Sequence, residues 1–81
     1  MKTIIFTAAA AKQFDALPAP ARLTIEAALS RYAVSGLGDV TKLSGRDGFR
    51  MRVGEYRVLF NQDATMILAV YVGRRQTTTY S

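Results

Sequence analysis

The sequence contains no cysteine and no histidine. Without cysteine there are no disulfide staples, no thiol nucleophile and no thiolate metal ligands, a composition that suits a reducing cytoplasm. Without histidine the commonest general base and the commonest metal ligand are missing, so any catalysis falls to Tyr, Lys, Arg or carboxylates. Long apolar runs are scarce at the start: Met1-Lys-Thr-Ile-Ile-Phe6 carries a positive charge, but its apolar stretch fits neither a signal peptide nor a membrane span. No Gly-x-Gly-x-x-Gly stands between a strand and a helix, which leaves Gly45, Gly48 and Gly54 as turn residues. Asp39, Asp47, Glu55 and Asp63 occupy predicted turns without ligand spacing. They read as turn chemistry, and neither a metal site nor a cofactor is expected.

Acidic residues are also few, six against eleven Lys and Arg, for a net charge of +5. The excess is uneven. Residues 1–41 hold four cations and three anions, whereas residues 42–75 hold seven cations and three anions, so +4 of the +5 lies in the second half. A basic half on a small domain points to nucleic acid or to an acidic protein partner. At 81 residues and 49% hydrophobic, the chain is expected to form a single domain over residues 1–81, with a real core but little margin of stability.

The chain is organised around Phe49-Arg-Met-Arg-Val-Gly-Glu-Tyr-Arg-Val-Leu-Phe60. Apolar and cationic residues alternate from Phe49 to Val53, the period of a strand with one buried and one wet face, so Arg50 and Arg52 share a face. Gly54-Glu55 predicts a two-residue hairpin with glycine at its first central position. In that register Val53 pairs with Tyr56 and Arg52 faces Arg57. Like charges directly opposed across a ladder are destabilising. Either both side chains splay into water, or the pair is kept for an anion.

Around this hairpin the pattern predicts a strand over 2–6, a helix over 8–17 capped by Thr7, a proline turn at Pro18-Ala-Pro20 and a second helix ended by Gly36. Residues 37–45 read as a loop with room for a short extended piece. After a turn at 61–64, residues 65–72 form the most apolar segment, the expected centre of the sheet. Loop length leaves the register of that last strand open, and with it the face that joins Arg57. The predicted fold is α+β: β-α-α-β-β-β, with a helical hairpin on one face of a mainly antiparallel sheet and the other face open.

On that open face Arg50, Arg52, Arg57 and the Arg74-Arg75 pair can converge, and guanidinium forks bind phosphate while staying charged at any ordinary pH. Tyr80 is read as the candidate proton-transfer group for this cluster, whose positive charge favours a phenolate. Tyr56 and Tyr71 read as core or sheet-surface aromatics.

Lys42-Leu-Ser-Gly45, the 49–60 hairpin, Tyr71-Val-Gly-Arg-Arg75 and a tyrosine near the end together resemble the RelE/ParE superfamily of type II toxin–antitoxin toxins, most closely its RelE branch. The resemblance spans essentially the whole chain. It implies a cytoplasmic, metal-independent endoribonuclease, an mRNA interferase that enters the ribosomal A site and cuts mRNA by attack of a 2′-hydroxyl on the adjacent phosphate. It also implies a cognate RelB-like antitoxin that wraps the toxin, through an acidic or amphipathic helical segment over the basic face. By position it makes Arg50, Arg52 and Arg57 catalytic cations, Arg75 the stabiliser of charge on the phosphate and Tyr80 the base, with Lys42, Arg46 and Arg74 as ribosomal RNA contacts. The family's best-studied members carry lysines where this chain has Arg50 and Arg52, and an arginine does not give up a proton to act as general acid. Two other functions fit the same fold: a ParE-like, non-nuclease poison of DNA gyrase, and an inactive toxin kept as an antitoxin-binding co-repressor.

Overall fold

Thr7 halts the first strand and starts the first helix: its hydroxyl accepts from the Ala10 N–H at 3.1 Å, satisfying one of the free donors of the first turn. The computed structural model describes residues 1–74. In it the elements run β1 (Thr3–Phe6), α1 (Ala8–Asp15), α2 (Ala19–Ser35), β2 (Val40–Lys42), β3 (Phe49–Val53), β4 (Tyr56–Gln62) and β5 (Met66–Arg74). The expected order holds, and the extended piece of the 37–45 loop becomes the short edge strand β2. Pro18 precedes α2 as its N-cap, with Pro20 inside the first turn, where a missing N–H costs little. At its other end Gly36 takes φ 73°, the left-handed turn in which its N–H reaches the Tyr32 carbonyl.

The strands form one sheet in the order β1-β5-β4-β3-β2, antiparallel except for the β1–β5 pair. Ile25, Leu29 and Ala33 of α2 and Ala10 of α1 pack on Met51, Val53, Val58, Phe60, Ile67, Ala69 and Val72, which all project from one side of the sheet. No residue of β1–β5 that projects from the other side is fully buried. The helices therefore cover one face only.

Two local devices hold β5. Past the end of β1 its outer edge lacks a strand partner, and Gln13 of α1 supplies one, its side-chain oxygen accepting from the Val72 N–H at 2.9 Å. At the other end, Asp63 tightens the β4–β5 turn by accepting from the Thr65 N–H (2.8 Å), the Met66 N–H (2.8 Å) and the Thr65 hydroxyl (3.1 Å). These bonds, the Thr65 amide first, hold its carboxyl below the ordinary carboxylate range. A depressed folded-state pKa means stability that is present above the unfolded value, about 4, and lost as pH falls through the folded value. Accordingly, Asp63→Ala should lower the urea midpoint at pH 7, and the gap from the parent should close on acidification. A gap that stays constant to the acid limit would count against this role.

Candidate functional site

The 49–60 hairpin closes as the sequence predicts. Gly54 has φ 58° and no non-glycine residue among those described has positive φ, so Glu55 does not, and the turn is of the type that needs glycine only at its first central position. Val53 pairs with Tyr56, and Arg52 stands directly opposite Arg57. Side-chain roots in such a pair begin about 5 Å apart. Arg50 lies two residues before Arg52 on the same face, between Thr41 of β2 and Leu59 of β4. Arg50, Arg52 and Arg57 thus share the face that the helices leave uncovered.

What the sequence left open was the contribution of β5 to this face. The β4–β5 ladder shifts register between Leu59 and Phe60, and beyond the shift Leu59 pairs with Tyr71, Val58 with Val72 and Arg57 with Gly73. Tyr71 is therefore a half-buried residue of the open face, beside Leu59 and next to Arg57. The Arg57 guanidinium carbon sits 5.5 Å from the centroid of the Tyr71 ring, within the range at which a cation is drawn to a ring face. The ring lies along the strand over Gly73, where a β-carbon would meet Tyr71 Cζ at 2.7 Å and Cε2 at 2.9 Å and would overlap the hydroxyl. A signal for this existed in the sequence: Tyr-x-Gly within a strand puts an aromatic ring beside a position with no side chain on the same face.

Arg50 and Arg57 are half-buried, and the Nε of each is hidden from solvent without a hydrogen-bond partner. A buried, unpaired donor is costly, so both guanidinium groups are held with their inner nitrogen sealed against the sheet. Arg52, in contrast, is exposed.

Arg74 departs from expectation. It does not join the cluster: β5 runs two residues further than predicted, Arg74 pairs with Tyr56, and its guanidinium lies 5.8 Å from the Tyr56 ring. Alternation along β5 sends it to the helix side, where Tyr56 packs against the core. Lys42 pairs with Phe49 on that same side at the sheet edge, and Arg46 is exposed in the turn before β3. Arg75 and Tyr80 lie outside the described residues. The helix side also carries an apolar cleft of about 280 Å³ between the start of α2, at Pro18 and Pro20, and the Gly54-Glu55 turn, and none of the clustered arginines lines it.

Among the described residues no group of carboxylates is arranged to hold a metal ion, and no helix is long and apolar enough to cross a membrane. The chemistry that Arg50, Arg52 and Arg57 offer at the open face is fixed positive charge.

No family model and no curated relative matches the sequence itself. Solved structures do match the fold. The isolated E. coli RelE toxin superposes with a TM-score of 0.80 at 17% identity, covering 96% of this chain and 88% of that one. The archaeal RelE–RelB complex from Pyrococcus horikoshii OT3 matches with a TM-score of 0.77 at 21% identity, over 95% of this chain and 98% of that one. The toxin–antitoxin complex RelBE2 from Mycobacterium tuberculosis matches with a TM-score of 0.64 at 28% identity, over 91% and 98% respectively. The chain has the RelE-like α+β fold.

Proposed function

We propose that this chain, built on the RelE fold, is the toxin of a type II toxin–antitoxin system and acts in the cytoplasm as a metal-independent endoribonuclease on ribosome-bound mRNA. The observation that carries the reading is the set Arg50, Arg52 and Arg57 on a sheet face without a helix over it. Opposed arginines are unfavourable by themselves, and a dianionic or developing charge between them removes the conflict. In the proposed reaction the 2′-oxygen of one nucleotide bonds to its own 3′-phosphorus and loses its proton, the bond to the 5′-oxygen of the next nucleotide breaks, and that oxygen takes up a proton. A 2′,3′-cyclic phosphate remains. Arg57, with Arg50 and Arg52, would offset the charge gathering on the phosphate oxygens. Arginine stays protonated, so these residues supply charge and not protons. Arg75 would add a further guanidinium and Tyr80 would take the 2′-hydroxyl proton, both from the C-terminal segment. Arg46 in its turn, and Lys42 and Arg74 from the helix side, would meet ribosomal RNA phosphates, giving affinity without sequence information.

A RelB-like antitoxin is the proposed partner, because several of the matching structures are RelE–RelB complexes. The basic open face suits acidic side chains. Leu23, Val34 and Leu37, exposed along one stripe of α2 and the turn after it, give an amphipathic helix a second place to bind.

Purified protein added to programmed ribosomes should cut the mRNA within the A-site codon, leaving a cyclic phosphate end. Intact mRNA together with blocked gyrase supercoiling would replace this reading with the gyrase-poison one. Intact mRNA, active gyrase and normal growth on expression without antitoxin would leave the co-repressor.

A further inference from the structure

Gly73 takes no positive φ, so nothing in the backbone requires glycine there. What requires it is space. The Tyr71 ring occupies the volume a side chain at residue 73 would fill, and Gly73 is the cross-strand partner of Arg57. The ring is thereby delivered to the flank of Arg57, one of the two arginines that face each other directly.

We infer that the Tyr71–Gly73 pair is a positioning device for Arg57: the ring, laid over the glycine, seats the guanidinium against the repulsion of Arg52 and fixes which of its nitrogens meets an anion. Three observations converge on this. The Arg57 guanidinium lies over the ring at 5.5 Å from its centroid. Its Nε is sealed from water and has no partner. The ring's own position is possible only above a residue without a β-carbon. A guanidinium can grip an oxyanion from its side, through Nε and one Nη, or from its end, through both Nη nitrogens. With Nε sealed, Arg57 binds end-on. Left to itself, an arginine opposite Arg52 would sample rotamers directed into water. The seat removes that freedom before any ligand arrives, which is the preorganisation an electrostatic site needs. Tyr71 itself touches no reacting atom in this scheme. The geometry is independent of the nuclease reading, but its use rests on that reading.

The test is the Nε–Hε signal of Arg57 in ¹⁵N-labelled protein, assigned by its loss in Arg57→Lys. In the parent this signal should be shifted by the Tyr71 ring current and protected from exchange with water. Tyr71→Phe keeps the ring and should keep both properties. Tyr71→Leu and Gly73→Ala should abolish both, the second because its methyl displaces the ring. In the Tyr71→Leu background, Gly73→Ala should change nothing more, since the glycine acts only through the ring. Circular dichroism checks folding, and Tyr71→Val serves if Tyr71→Leu fails it. On programmed ribosomes, Tyr71→Leu should slow cleavage by roughly ten- to a hundredfold, chiefly in kcat, as expected for a displaced positioning group. Tyr71→Phe should restore it to about threefold of the parent or better. An Arg57 signal that is the same in the parent and the ring-free variants overturns the inference. If the signal responds as described but the parent protein cuts no mRNA, the seat stands and the nuclease reading falls.

Discussion

Arg57→Ala should leave the protein folded and abolish growth arrest, with cleavage of ribosome-bound mRNA falling by about a hundredfold or more, the usual cost of removing one donor from an electrostatic site. Folding should survive because Arg57 is an expense to the native state. It faces Arg52 across the ladder, and its Nε is buried without a partner. Both features are destabilising, and alanine removes both while giving up the guanidinium's contact with the Tyr71 ring. The urea midpoint should therefore lie close to that of the parent. Arg57→Lys sharpens the comparison, for it keeps the charge but loses the planar fork and the stacked contact. It should recover only a small part of the activity. Arg75→Ala, on the resemblance, should match Arg57→Ala in toxicity. Full toxicity in both alanine variants would remove these residues from the site, whatever the fold.

How much of this is legible in the sequence depends on the range of the interaction concerned. The hairpin was readable because it is local: one glycine sets the turn, the turn sets Val53 against Tyr56, and the Arg52–Arg57 opposition follows. Three of the four helix ends are readable for the same reason, from Thr7, Pro18 and Gly36, whereas α1 stops at Asp15, two residues before the expected end. What failed was long-range register. The shift at Leu59–Phe60 has no signature in composition, and it decides that Tyr71 and Gly73 join the arginine face while Arg74 goes to the helix side over Tyr56. A loop-based count could not supply that. The strand β2 was near the limit of detection. It is three residues long and exists by pairing Val40–Lys42 with Phe49–Met51, supported by an Arg52 N–H bond to the Asp39 carbonyl at 3.0 Å. The Gln13 bond to the Val72 amide was beyond reach, since it links residues 59 apart.

The same register makes the core a determinant of the site, and Phe60→Ala is the substitution that should reveal it. Phe60 is 1% exposed. Its ring stacks on Phe49 with centroids 5.6 Å apart and meets the edge of Tyr32 at 5.7 Å, so it joins β3, β4 and α2 at one point. Truncating a buried phenylalanine costs about 3–5 kcal/mol. At ~0.05–0.15 kcal/mol per residue, a domain of this size has ~4–12 kcal/mol in all. The variant should therefore be largely unfolded at 37 °C or retain only a shallow urea transition, whereas Phe60→Leu, which refills most of the volume, should lose far less. The consequence for the open face follows from where Phe60 stands, immediately after the register shift and paired with Ala69. Anything that loosens its packing loosens the constraint placing Leu59 beside Tyr71 and Gly73 beside Arg57. In Phe60→Leu, the Arg57 Nε–Hε signal should broaden or lose exchange protection before global unfolding is measurable. A Phe60→Leu protein that is destabilised yet keeps that signal unchanged would show that the seat of Arg57 holds by local contacts alone.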